Sequence, residues 1–345
     1  MRLALPQGFG LASLLLLFAL LALAPYVIQL QAFELRLLTL IFLYALLGQG
    51  WNVLGGFAGQ TSIGHGMFFG LGAYTATLLA VRFDVNAWIG MGAGALAAAI
   101  VGVLIGLPCF RLKGHYFVIA TLVVAEILYQ LAAAWPFVGG ASGLSLPIKP
   151  AGFLHFQFHR DRIPYYQIAL AMLAAVTLFA WCLRESRLGF ILRAIRDDED
   201  AARSLGFASQ RCKLIAMAMS AAITGAGGVF YAQYVLFIDP ASVLSSAQSV
   251  LIALIPIFGG IGTIAGPLVG AAVLMALSEY ARIWFSGTGR NVDLLIYGLL
   301  IMVVAVYRPD GVTSLFRVPA MQRLFRRQGA GPVVSAQAQR DGEAA

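Results

Sequence analysis

The chain has 345 residues, of which 60% are apolar and only 11% charged, with a formal net charge of +8. Globular chains carry roughly 25% charged residues, so a single soluble core of this composition would leave large apolar surfaces in water, and a water-soluble fold is excluded. The positive charge does not indicate nucleic acid either, because the arginines cluster between hydrophobic runs and in the tail, as orientation in a lipid bilayer requires.

A bilayer crossing needs about 20 apolar residues. In chain order, stretches that meet or approach this length fall near 11–30, 37–54, 62–81, 87–107, 115–135, 163–183, 213–234, 243–260, 264–284 and 291–307. They predict an all-α, polytopic helix bundle with about ten spans in a permease domain over 1–307. The first stretch resembles a signal-peptide core but has no clear small-x-small cleavage site and is followed by further spans, so it reads as a retained helix.

Two polar, glycine-rich stretches interrupt this pattern, Gly55 to Gly66 and a looser echo from Gly259 to Pro267. Each follows one hydrophobic span and opens another. Broken helices are tolerated at membrane depth where protein or a wet cavity satisfies their backbone groups. The echo predicts two weakly related halves with broken or re-entrant helices near a transport route, or else two tight helix contacts joined by short loops. Glu126 is the clearest ionisable group inside a span and should face protein or water. It lines a route or anchors a hydrogen bond. Glu279 and Arg282, three apart on a late span, are placed to support one another. The longest external loop, near 136–162, carries His155 and His159 with no carboxylate or cysteine completing a metal set.

Charge bias orients the bundle. Arg111 with Lys113, the segment 184–212, and the group Arg308, Arg317, Arg323, Arg326 and Arg327 mark three inside regions. The numbers of predicted spans between them are even, and counting back puts the N-terminus inside too. Residues 308–345 then form a cytoplasmic tail, expected to be disordered after 327. The three cysteines make no CxxC pair, so neither zinc nor a disulfide framework is indicated.

The segment 184–212 is the largest departure from the apolar background. It packs Arg184, Glu185, Arg187, Arg193, Arg196, Asp197, Asp198, Glu199, Asp200, Arg203 and Arg211 together. A chain otherwise hidden in lipid has kept one stretch wet, charged and helical, a handle for something outside the membrane. The chain does not energise itself with a P-loop, because none of its lysines, Lys113, Lys149 and Lys213, follows a glycine.

The string Gln49-Gly50-Trp51-Asn52-Val53-Leu54-Gly55-Gly56-Phe57-Ala58-Gly59-Gln60-Thr61-Ser62-Ile63-Gly64-His65-Gly66 resembles the signature region of LivM-type permeases. Similar matches are Arg111-Leu112-Lys113-Gly114-His115-Tyr116-Phe117, Gly139-Gly140-Ala141-Ser142-Gly143-Leu144, and Ile296-Tyr297-Gly298 with Arg308-Pro309-Asp310-Gly311, ordered across about 40–315. LivM is a membrane subunit of bacterial high-affinity branched-chain amino acid ABC importers. The resemblance implies a non-catalytic translocation subunit of the bacterial inner membrane that binds no cofactor itself. Its partners would be a LivH-type permease, two cytoplasmic ATPase subunits that use ATP and Mg, and a periplasmic amino-acid-binding protein. It further implies that Asp200-Ala201-Ala202-Arg203-Ser204-Leu205-Gly206 matches the coupling motif E-A-A-x-x-x-G with Asp for Glu. Helix 196–206 would act as a lever through Arg196, Asp197, Asp200, Ala201, Ala202 and Gly206. Gly59, Gln60, Thr61, Ser62, His65 and Glu126 become candidates for the translocation pathway. A urea or short-amide ABC permease, and a self-sufficient secondary transporter, are the alternative functions.

Overall fold

A computed structural model of the chain describes residues 11–112, 114–158 and 161–284. The expected span at 291–307, the tail 308–345 and His159 lie outside the described residues. So does the side chain of Arg282.

The helices run α1 (Leu11–Ile28), α2 (Ala32–Asn52), α3 (His65–Phe83), α4 (Ala87–Cys109), α5 (His115–Ala134), α6 (Ile163–Glu185), α7 (Arg187–Asp197), α8 (Glu199–Ser204), α9 (Ser209–Val235), α10 (Pro240–Val243), α11 (Ser246–Gly259) and α12 (Gly266–Trp284). A π-turn, Val53–Phe57, prolongs α2. Among the described residues, seven helical segments are long and apolar enough to cross a bilayer, and α1 and α12 supply two shorter apolar helices. The all-α polytopic bundle expected from the sequence is therefore present.

Side-chain size decides which way each helix faces. In α4 the buried positions include Gly90, Gly94, Ala98, Gly102 and Gly106, one small residue every four. Ile89, Leu96, Ile100 and Leu104 are exposed on its other faces. The small stripe lets α4 lie close along α9, where Gly225 faces Gly94 and Ala98, and the large apolar side chains are left to face lipid. In α5 the same division puts Phe117, Thr121 and Ala125 inward and Ile119, Val123 and Ile127 outward. The central helix is α2, along which Leu43, Leu46, Leu47, Trp51 and Leu54 are essentially inaccessible.

The two glycine-interrupted units, α2–α3 and α11–α12, pack on one another as the two related parts suggested by the sequence echo. Each runs helix, turn, helix, and both turns lie at the same end of the bundle. The chain between α9 and α11 is itself broken at Leu244–Ser245, so α11 begins inside the bundle, with Ser249 Oγ accepting from Gly66 N at 3.0 Å.

At the opposite end, residues 136–158 form a folded cap. Leu144–Ser145 (β1) pairs antiparallel with Phe237–Ile238 (β2) in the register Leu144 to Ile238. Gln157 is buried and closes the loop, accepting from Lys149 N at 2.8 Å and donating to Pro147 O at 3.0 Å.

The segment expected as one helix over 196–206 is instead two helices meeting at Asp198. Asp198 has extended backbone and its carboxylate accepts from Asp200 N and Ala201 N, both at 3.0 Å. A carboxylate that satisfies the first free amides of α8 stabilises a fresh helix start there, which is why the lever is bent.

Candidate coupling junction and cavity

Helix α7 starts at Ser186, whose Oγ accepts from Gly189 N at 3.1 Å. Its apolar positions Leu192 and Ile195 are buried against the bundle while Phe190 projects outward. In α8, Ala202 is buried, and Asp200, Ala201 and Leu205 face outward. Glu199 fixes α8 to its surroundings, accepting from Arg203 Nη2 at 2.7 Å and from the buried Lys213 Nζ of α9 at 2.6 Å. Gly206 follows with φ +88°, a left-handed conformation that suits glycine at a helix end. Its amide donates to Arg203 O at 2.9 Å, and Phe207 N donates to Ala202 O at 3.2 Å.

Arg196, in the last turn of α7, leaves this surface and reaches the glycine turns. Its Nη1 donates to Gly56 O at 3.0 Å, while Nε and Nη2 hold Asp197 Oδ1 at 3.2 and 3.1 Å. From below the same turn, Asn52 bridges to the second glycine stretch. Its Oδ1 accepts from Gly262 N at 2.8 Å and its Nδ2 donates to Thr263 O at 2.9 Å. Gln49 Nε2 donates to Ile264 O at 2.6 Å, and Trp51 Nε1 closes the first turn by donating to Ser62 O at 2.7 Å. Gly56 must lack a side chain, because a Cβ there would lie 1.9 Å from Asn52 Oδ1 and 2.8 Å from Gly262 N. The two glycine stretches thus touch each other, with one arginine of the charged segment seated on the contact.

The remaining sequence candidates divide between this junction and elsewhere. Gly59 lies against the Arg196 side chain, and Thr61 is exposed beside the half-buried Gln60. Ser62 and His65 are fully buried. The single hydroxyl proton of Ser220 goes to Gly50 O at 2.6 Å, so His65 Nε2, 2.8 Å from Ser220 Oγ, is the donor of that pair. Glu126 stands apart on α5, half-buried, accepting from Gln130 Nε2 at 2.9 Å on its own helix. The coupling candidates are similarly split: Arg196 reaches the junction, Asp197 pairs with it from the surface, Ala202 packs inward, and Asp200, Ala201 and Gly206 lie at the surface.

A cavity of about 1070 Å³ opens at the other end of the bundle, lined by α2, α6, α9, α10, α11 and α12. Arg36, Arg162 and Glu279 stand around it, with Tyr44, Tyr165, Tyr231, Tyr234 and Gln248 on its walls. Glu279 pairs with Arg36 across the helices at 3.8 Å, while the expected pairing with Arg282 lies outside the described residues. None of the sequence candidates lines this cavity. The available signal was the opposite charges of Arg36 and Glu279 at the ends of two otherwise apolar spans, but nothing in the sequence brings those ends together.

A family model described as branched-chain amino acid transport system / permease component matches residues 34–305, which include both the junction and the cavity. The chain belongs to this permease family. The permease is 31% identical to the high-affinity branched-chain amino acid transport system permease protein LivM of Escherichia coli K12, over 337 aligned positions covering 90% of this chain and 77% of that protein. LivM of Salmonella typhimurium is 30% identical with the same coverage. LivH of Salmonella typhimurium is 25% identical over 78% of this chain and 90% of its own length. No solved structure matches. Membership makes the chain a non-catalytic transport subunit, and among the described residues no group of three or more His, Cys, Asp or Glu is placed to hold a metal ion.

Proposed function

We propose that this permease is the LivM-type translocation subunit of an ATP-driven importer of branched-chain amino acids, set in the bacterial inner membrane with both termini cytoplasmic. A LivH-type permease would stand beside it, two ATPase subunits would bind its cytoplasmic face, and a periplasmic binding protein would deliver the amino acid. The family match supports the importer reading, and the observation that carries the coupling role is the Arg196 bridge from the charged segment to the contact between the glycine turns.

The outward face of α8, with Asp200, Ala201 and the exposed Leu205, together with Phe190 of α7, presents apolar and charged groups to a partner. Movement of that partner on ATP binding would shift α7 and α8 together, since Asp198 joins the two helices, and Glu199 would pass the shift to α9 through Lys213. Arg196 would carry the shift to Gly56, and Asn52 would pass it to Gly262 and Thr263. The pairs α2–α3 and α11–α12 would then rock against each other, opening one end as the other closes. Gly59, Gln60 and Thr61 would line the inner exit beside this joint.

The test is Arg196→Ala in the complete complex reconstituted with its ATPases and binding protein. Leucine uptake should fall roughly tenfold, in line with an ordinary coupling free energy, while the complex assembles normally and binding-protein-stimulated ATP hydrolysis stays within about twofold. Unchanged uptake would overturn the coupling role of Arg196. Uptake of urea in place of leucine by the wild-type complex would overturn the substrate.

A further inference from the structure

The cavity opposite α7 and α8 has a layered lining. On α2, Arg36 and Leu40 are four residues apart and share one face; on α12, Glu279 and Met275 do the same. The two helices run in opposite directions, so both charges fall at the mouth and both apolar side chains one turn deeper. Leu251 and Leu254 of α11 add to the apolar layer. Arg36 and Glu279 are only loosely joined, at 3.8 Å, with the Arg36 side chain 48% exposed and that of Glu279 12% exposed.

We propose that this cavity is a transient binding site for a zwitterionic aliphatic amino acid, with its carboxylate on Arg36, its ammonium on Glu279 and its side chain against Leu40, Met275, Leu251 and Leu254. The inference rests on the importer reading above and deepens it by placing a receiving site in the permease itself. An amino acid carries both charges on one carbon, so it can enter the Arg36–Glu279 pair and offer each of them an opposite charge. A volume of about 1070 Å³ admits the solute with water around it, which suits passage better than tight retention. Solutes lacking one charge would leave Arg36 or Glu279 without its new partner.

The test uses the complete complex in lipid nanodiscs without binding protein. Leu40→Cys places a thiol beneath Arg36, and a bulky membrane-impermeant thiol reagent is added. The native Cys109, Cys182 and Cys212 lie in the helix turns at the Arg196 end of α4, α6 and α9, away from the cavity. Leucine should slow labelling of Leu40→Cys, whereas 4-methylpentanoate, lacking the ammonium, and 3-methylbutylamine, lacking the carboxylate, should not at the same concentration. Adding Glu279→Gln should raise the leucine concentration needed by about tenfold, the loss expected for one partly solvated charge contact. The analogue series keeps Glu279 intact and decides the matter if Glu279→Gln fails to assemble. Leucine uptake is measured on the same complex with binding protein added. Normal uptake with labelling indifferent to leucine, or equal protection by all three solutes, would overturn the site and leave the importer reading standing. Absence of branched-chain amino acid uptake by the wild-type complex would overturn both.

Discussion

The two ends of α2 are built on opposite principles. Its C-terminal end is knit to its neighbours by short bonds between buried or half-buried groups, Asn52 and Gln49 to the turn before α12 and Trp51 to Ser62, with the partly exposed Arg196 seated on Gly56. Its N-terminal end stands beside a wide cavity, where Arg36 meets Glu279 at 3.8 Å with half of its side chain in the open. A part that must transmit movement cannot be soft, because slack absorbs displacement. A part that must admit and release a solute cannot be closed, because every contact made must be broken again. The permease puts stiffness where the charged segment touches it and room where it does not.

The stiff end should be the easier to break. Gly56→Leu forces atoms into space held by Asn52 Oδ1 and the Gly262 amide. It should displace Asn52 from both of its bonds and leave Gly262 N and Thr263 O unpaired. Overpacking at the fully buried Gly56, combined with two half-buried groups left unpaired, should cost roughly 3–4 kcal/mol, read as loss of assembled complex or a large fall in its melting temperature. Gly92→Ala is the control, since a Cβ at Gly92 on α4 meets nothing within 4 Å. That change should stabilise by roughly 0.5–1 kcal/mol through helix propensity. Equal tolerance of both changes would mean that the junction is loose.

What the sequence revealed follows the same division. Approximate helix bounds were legible because a bilayer imposes length and hydrophobicity on every span: the stretch expected at 163–183 is a helix over Ile163–Glu185. The small residues of α4 fall on one buried face because they recur with the period of the helix. The break at Gly55–Gly66 and its echo were visible, but their mutual contact was not, because Asn52 meets Gly262 across 210 positions of chain. Nor did the charge pattern of 184–212 single out Arg196, one of several arginines there, as the one that reaches Gly56. Glu126 drew attention as a carboxylate inside a span, yet a bond to Gln130 on its own helix gives it a local partner. The cavity was hidden most completely, since six helices contribute to it and each offers only one or two unremarkable polar residues.

A smaller effect is expected where the charged segment is tied to the bundle. Lys213 is buried at the start of α9 and holds Glu199, whose side chain is 22% exposed and keeps Arg203 as a second partner. Lys213→Met should therefore cost less than breaking a fully buried pair, about 1–2 kcal/mol. The loss should fall on α8 more than on the spans. Limited proteolysis within 198–208 should accelerate while the melting temperature of the complex moves little. Acceleration should be accompanied by weaker leucine uptake at normal ATP hydrolysis, because α8 would move without α9. Protection from proteolysis unchanged by the mutation would show that Asp198 and Ala202 hold α8 without help from Lys213.

The smallest effect belongs to the outer cap, where the Lys149 ammonium lies 2.5 Å from the exposed carboxylate of Asp84. Its hydrogen bond and charge hold the Asp84 carboxyl below the usual value of 3.8. A carboxyl whose value is lowered by folding stabilises the fold above the unfolded value, and that contribution is lost as pH falls through the lowered folded one. Lys149→Met should thus depress the melting temperature slightly and by the same amount across neutral and mildly acidic pH. The gap between mutant and wild type should then shrink below the usual carboxylate value, where protonation of Asp84 removes the pair from the wild type as well. Added salt should narrow the same gap at neutral pH, since solvent and ions reach both partners more readily than they reach the bonds around Asn52. A gap that survived both acid and salt would mean that Lys149 acts through its packing rather than its charge, and that the outer end is held in the same buried fashion as the inner one.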